Sequence, residues 1–248
     1  MNKVIEHHVA NNLFAKTKSE VGLSTIVEHS IELIPGATPI RCGLRKMALD
    51  KSAEANRQLK DLMDMGLVEP ARSPFASAIV MAKKKGNELR LCIDFRALNE
   101  MTVKDAYPLP RIDLTMQKLG VARYFSSLDM GSAFWQIPLK EEDRHKTAFV
   151  TEMGQYMWTR MPFGLCNATA TFQRMMAKIF ENVLMRFGSL VLCYVDDIII
   201  ATDTIDDHVA RLHEVFTLLS HAGLKLKAGK CDLKIGRASC RERVSLTV

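Results

Sequence analysis

"VLCYVDDIIIATD", Val191 to Asp203, is the stretch on which the reading of this chain turns. Nearly every residue in it is apolar or strand-prone, yet Asp196 and Asp197 stand side by side at its centre. The pattern predicts a strand, a tight turn and a second strand, with both acids at the turn. Asp is common in turns, so the pair alone fixes no chemistry. The apolar flanks make the pair costly. Two carboxylates about 4 Å apart repel by about 4 kcal/mol at an effective dielectric of roughly 20. Partial burial adds a desolvation cost. Either one acid keeps its proton or a cation sits between them, and a divalent cation is the economical answer.

A third carboxylate, Asp129, ends another expected strand in "FSSLDMGSAFWQI". One predicted helix lies between the two strands, so a crossover can bring Asp129 and Asp196 to the same end of a sheet. A few carboxylate oxygens, completed by water and substrate phosphates, describe a magnesium site. Two such ions can activate a hydroxyl and stabilise a departing pyrophosphate.

Working outward, "DKSAEANRQLKDLMDMG" reads as an amphipathic helix with Ser52 as its cap, Ala55, Leu59, Leu62 and Met63 on one face, and Gly66 as its stop. "SAIVMAKKKGNELRLCIDF" reads as a hairpin with a Lys-rich turn. "YPLPRIDLTMQKLG" gives a short helix ending at Gly120. "ATATFQRMMAKIFENVL" gives another, with Phe172, Met175, Met176, Ile179 and Val183 at helical spacing. In "TIDDHVARLHEVFTLLSHAG", Thr204 and Asp207 form a capping box and Leu212, Phe216 and Leu219 face the core. The order predicts an α+β fold with helices on one face of a mostly antiparallel sheet.

The 248 residues are 48% hydrophobic and 25% charged, enough for one substantial core or two lobes. No apolar run is long enough for a transmembrane helix, so no membrane partner is expected. The six cysteines form no CxxC pair and the seven histidines show no ligand spacing, which argues against a zinc site or a disulfide framework. A net charge of +6, concentrated in "AKKK" and "KLKAGK", suits nucleic acid. Each basic run taken alone is equally what a solvated turn presents. Residues 1–30 are weakly patterned and are expected to form a mobile lead-in. Ile235 to Val248 breaks the style of the chain and is set apart as a non-native tail, similar to a translated sequencing adapter.

Six stretches carry a resemblance: "LRLCIDFRALN", "YPLPRID", "FSSLDMGSAFWQIPL", "KTAFVT", "RMPFGLCNATATFQRMM" and "YVDDIII". In this order and spacing the chain resembles the reverse transcriptase of a gypsy-type LTR retrotransposon, over about Ile31 to Leu233. The resemblance implies a polymerase palm (104–136 and 168–234) with a fingers subdomain (31–103 and 137–167). It implies that Asp129, Asp196 and Asp197 are catalytic and hold two Mg2+ ions, with Mn2+ as an alternative, and that the Met130 carbonyl is a further ligand. Phe134 stands where the family places an aromatic gate against the ribose 2′-hydroxyl. Ser132 and Ala133 are expected at the triphosphate, as are Lys84 and Arg90, and Phe163 and Gly164 at the nucleotide pocket. Gln173, Arg174 and Tyr194 are expected beside template or primer. Thr169 replaces the Pro usual in "NAPATFQ", which softens the helix start without touching the chemistry.

The implied partners are an RNA or DNA template with its primer and dNTPs. Protease, RNase H and integrase domains would belong to the same polyprotein, acting in cytoplasmic virus-like particles. The family's thumb, connection and RNase H do not follow in this sequence, so a chain truncated after the palm is expected. The other reading is a non-catalytic nucleic-acid-binding remnant.

Overall fold

The computed structural model describes residues 13–17, 19–83, 86, 88–108, 122–183, 185–186, 189–194 and 196–233. In chain order its elements are α1 (Leu49–Asp64), β1 (Val68–Pro70), β2 (Ser77–Lys83), β3 (Leu89–Asp94), α2 (Arg96–Met101), β4 (Tyr124–Asp129), α3 (Glu141–Arg144), β5 (Phe149–Thr151), β6 (Gly154–Trp158), α4 (Ala168–Ile179), β7 (Met185–Arg186), β8 (Ser189–Tyr194), β9 (Asp197–Thr202) and α5 (Ile205–His221). Most of the helix expected in "YPLPRIDLTMQKLG", and the whole tail from 235, lie outside the described residues. The chain divides into two compact units. One comprises Val27–Ala106 and Phe134–Thr169, the other Met1–Ile26, Tyr107–Ala133 and Ala170–Val248.

The first unit is built on a five-stranded sheet in the order β1-β6-β5-β2-β3. β2 and β3 form the expected antiparallel hairpin, with Lys83 opposite Leu89 beside its turn. β3 is an edge strand, and a bare edge invites unwanted pairing. α1 closes it. The Gln58 side chain donates from Nε2 to the Leu89 carbonyl at 2.8 Å and accepts from the Leu91 amide at 2.8 Å. Ala55, Leu59 and Leu62 are buried beneath the helix.

Ser52 does not cap α1. The helix starts at Leu49 after Ala48, so Ser52 already lies inside the first turn, and its hydroxyl donates to Glu152 Oε2 at 2.6 Å. The far end is as read. Gly66 sits at φ +67°, and the Gly66 and Leu67 amides close back onto the Met63 and Leu62 carbonyls.

The second unit carries an antiparallel four-stranded sheet, β4-β9-β8-β7. β9 explains the apolar run of the opening stretch, because Ile198 to Thr202 are all buried. Ile199 and Ala201 pack with Phe125 on one face, beside Leu190 and Leu192. The other face carries Ser126, Leu128, Ile198, Ile200 and Thr202, and here α5 packs through His208. The N-cap of α5 is as expected, with Thr204 Oγ1 accepting from the Asp207 amide. Leu212, Val215, Phe216 and Leu219 are buried along the helix.

The lead-in expectation fails for residues 13–17 and 19–26, which are tied to this unit. Leu13 and Phe14 are buried, and the Phe14 ring meets Phe216 edge-on at 5.5 Å. Main-chain bonds join Leu13 and Ala15 to Leu226 and join Leu23 to Gly223. Two apolar residues in an otherwise unpatterned stretch suffice for this anchoring and leave no periodic signal.

Candidate active site

Strand register assembles the acids. Asp129, the last residue of β4, stands directly opposite Asp197, the first residue of β9. Like charges in that position are destabilising. Asp196 occupies the turn just before, and its carbonyl accepts from the Met130 amide at 3.3 Å. Asp196 Oδ1 is buried without a hydrogen-bond partner. Burial first, then the charges of Asp129 and Asp197, push the Asp196 carboxyl up to about 6, with Lys230 opposing. Asp197 is raised as well, by burial and then by Asp129.

Lys230 was not among the residues singled out from the sequence. It stands on a short helical turn, Ala228–Lys230, and donates from Nζ to Asp129 Oδ2 at 2.9 Å. That bond, ahead of the nearby acids, raises the Lys230 ammonium above its usual range. One lysine in a lysine-rich run carries no signal of its own.

Three carboxylates, one ammonium and an unpartnered buried oxygen leave negative charge uncompensated, and hard oxygen donors suit a divalent cation. Among the described residues no three acid, His or Cys side chains stand ready-made around one metal position. The donor set thus fits a cation chemically, while Asp129 is turned to Lys230.

After β4 the chain bends through Gly131 and Ser132. Ser132 adopts φ +54°, the left-handed region that non-glycine residues rarely enter. Ala133 is fully buried and opens a short helical turn, Ala133–Gln136.

In the five-stranded unit, Arg90, Phe134 and Phe163 are brought together. The Arg90 guanidinium lies over the Phe163 ring at 4.5 Å, and Phe134 meets the same ring at 5.2 Å. Gly164 has φ +95°, which accounts for the glycine. Its carbonyl accepts from Asn99 Nδ2 at 2.8 Å, while Asn99 Oδ1 accepts from the Cys166 amide at 2.9 Å. Asn167 likewise clamps Val103 and Asp105. Both asparagines lie inside the family-like motifs, yet nothing in their local sequence marks this role. Lys84 and the side chain of Tyr194 lie outside the described residues.

Gln173 is corrected. It is only 6% exposed and donates from Nε2 to the Cys193 carbonyl at 3.2 Å. Buried against β8, it anchors α4 beside the acidic turn and is not presented to a template. Arg174, one residue on, is exposed and lies over the Tyr107 ring at 4.7 Å.

Residues 82–241 match the family model described as "Reverse transcriptase (RNA-dependent DNA polymerase)". The match reaches into the stretch set apart as a tail. The chain belongs to the reverse transcriptase family. It is 36% identical over 226 residues to the retrovirus-related Pol polyprotein from transposon 297 of Drosophila melanogaster, covering 89% of this chain and 21% of the relative. It is 34% identical over 223 residues to the corresponding polyprotein from transposon gypsy of the same organism, covering 88% and 21%. The gypsy-type resemblance read from the motifs is borne out, and the chain spans about a fifth of the length of these relatives. Among solved structures, the foamy viral protease–reverse transcriptase in complex with an RNA/DNA hybrid superposes with a TM-score of 0.82 at 24% identity, over 93% of this chain and 30% of that one. The α+β polymerase fold is thereby established. No helix among the described residues is long and apolar enough to cross a membrane.

Proposed function

We propose that this chain carries the DNA-polymerising centre of a retrotransposon Pol polyprotein and extends a primer on an RNA or DNA template from dNTPs. The observation that carries the reading is the meeting of Asp129, Asp196 and Asp197 at one end of β4 and β9, with Asp196 Oδ1 buried and unpartnered. Reverse transcriptases generally use divalent metals. Here Asp129, Asp196 and Asp197, with the Met130 carbonyl, would hold two Mg2+ ions, for which Mn2+ can substitute. Bound there, such ions promote loss of the primer 3′-hydroxyl proton and offset charge on the departing pyrophosphate.

The chain's own residues supply the rest. The left-handed bend at Ser132, followed by Ala133, turns the main chain in the manner of phosphate-binding nests. Arg90, fixed over Phe163, offers a guanidinium to the triphosphate, and Lys84 a second cation. Phe134, held against Phe163, excludes a 2′-hydroxyl. Phe163 and Gly164 line the nucleotide pocket, while Arg174 and Tyr194 meet template or primer. Protease, RNase H and integrase would be linked in the same polyprotein, working in virus-like particles inside the cell.

Primer extension by the full chain at low salt, with Mg2+ or Mn2+ and dNTPs, tests this reading. Extension by the wild type and none by Asp196→Asn is expected. Extension at the wild-type rate by Asp196→Asn refutes the assignment. Template binding without extension by the wild type identifies a non-catalytic remnant instead.

A further inference from the structure

The segment that delivers Lys230 is held on two sides. Toward β4, the Lys227 amide donates to the Asp129 carbonyl at 3.0 Å, and Asp232 exchanges a pair of 2.8 Å main-chain bonds with Ser127. A Cβ added at Gly131 would lie 3.1 Å from Lys227 Cβ, a close approach that a side chain there would keep only if Lys227 shifted by a few tenths of an ångström. On the other side, Leu226 exchanges main-chain bonds with Leu13 and Ala15, and Lys225 pairs with Glu20 at 3.2 Å. The backbone around Lys230 is thus braced by the strand that carries Asp129 and by the N-terminal strap. The Lys230 side chain itself is 56% exposed, and the Asp129 side chain 20%. An ion pair that open is weak and readily exchanged.

An ammonium brings one positive charge and three donors. It satisfies Asp129 but leaves Asp196 Oδ1 unpartnered. We propose that Lys230 is a positioning residue of the metal site. In the metal-free protein its ammonium stands in for a cation, holds the Asp129 carboxylate paired and oriented, and yields it when a divalent ion binds. This rests on the reading of the three acids as metal ligands. A lysine of this kind lowers metal affinity while protecting the empty site, the opposite of a lysine that only packs.

Mn2+ is the probe, with free ion read by electron paramagnetic resonance on the full chain. Lys230→Gln should bind Mn2+ about fivefold more tightly than the wild type, the scale of one partly exposed competing ion pair. Lys230→Arg, which keeps the cation, should bind like the wild type. In chelator, Lys230→Gln should melt below the wild type, and saturating Mn2+ should close the gap. A purely structural lysine would lower the melting temperature without tightening Mn2+. Unchanged or weaker Mn2+ binding by Lys230→Gln overturns the proposal. If Asp129→Asn loses Mn2+ while Lys230→Gln is unaltered, this inference alone fails. If the wild type binds no Mn2+, or Asp129→Asn binds it normally, the metal-site reading fails and takes the inference with it.

Discussion

Replacing Asp196 by Asn should abolish primer extension and, without metal, make the protein more stable. The carboxyl is raised from 3.8 to about 6, chiefly by burial and then by Asp129 and Asp197. A rise of that size corresponds to about 3 kcal/mol between the two protonation states. Asp196 is only partly buried, and screening by solvent reduces the expected gain to about 1 kcal/mol. The folded protein holds this proton more tightly than the unfolded chain. The contribution of Asp196 is therefore complete below the ordinary pKa of 3.8 and is lost as pH rises through about 6. Asn carries no charge at either extreme. Urea denaturation in chelator should then show the variant and wild type nearly alike at about pH 4, with the variant ahead by about 1 kcal/mol at about pH 7.5. Mg2+ should raise the wild type and raise the variant less, because binding to the native state alone stabilises it. A variant less stable than the wild type at both pH values, or equal gains from Mg2+, would show that these carboxylates are neither in conflict nor shared by a cation.

Three further outcomes follow from other parts of the molecule. Burial lowers both His208 and His29 to about 4, in the case of His29 against the pull of Asp143 and Asp105; their stabilisation is present above the usual histidine pKa and is lost as pH falls from about 6.5 toward 4, by up to about 3 kcal/mol each. Two such losses outweigh the opposite contributions of the partly buried Asp196 and Asp197, so the wild-type urea midpoint should fall over that range, and a rising midpoint would contradict the burial of these rings. Gly223→Ala should destabilise by on the order of 3 kcal/mol, because Gly223 has φ +72° and the added Cβ would lie 2.2 Å from the Leu23 carbonyl oxygen; a melting temperature within about 2 °C of wild type would remove the strap contact from the account. Arg90→Ala should raise the KM for an incoming dNTP about tenfold with a smaller effect on kcat, in single-nucleotide incorporation, and an unchanged KM would leave the ring contact over Phe163 as packing alone.

The acids were legible because charge inside an apolar run is anomalous, and an anomaly can be read without a structure. The strand-turn-strand around Asp196 and the cap at Thr204 follow the same logic, since each is a local pattern with a local cause. The residues that were missed have long-range causes. Asn99 is one polar residue among many until its amide meets Gly164 and Cys166, more than sixty positions on. Gln173 looks like a surface residue of an amphipathic helix, and only the tertiary fold turns it onto the Cys193 carbonyl. Ser52 shows the converse. It has the chemistry of a cap but stands inside the helix, and its hydroxyl is engaged by Glu152.

The same distinction explains how the acidic pair keeps its alignment. Side chains alternate between the faces of a strand, so a slip of one residue between β4 and β9 would send Asp129 to the opposite face. The opposing acids themselves favour such a slip. What resists it lies on the other side of the sheet. Thr202 Oγ1 donates to the Thr204 carbonyl at 3.1 Å, which leaves it to accept from His208 Nδ1 at 3.0 Å, and His208 Nε2 then accepts from the Ser126 hydroxyl at 2.8 Å. Ser126 is in β4, Thr202 in β9 and His208 in α5, and all three are buried. A one-residue slip would break this chain of bonds and leave buried polar groups unpaired, at about 1–3 kcal/mol for each. That penalty is of the same order as the repulsion it must hold. The histidine, which offers no ligand spacing and takes no part in the chemistry, thus pins the register that forces Asp129 and Asp197 to face each other.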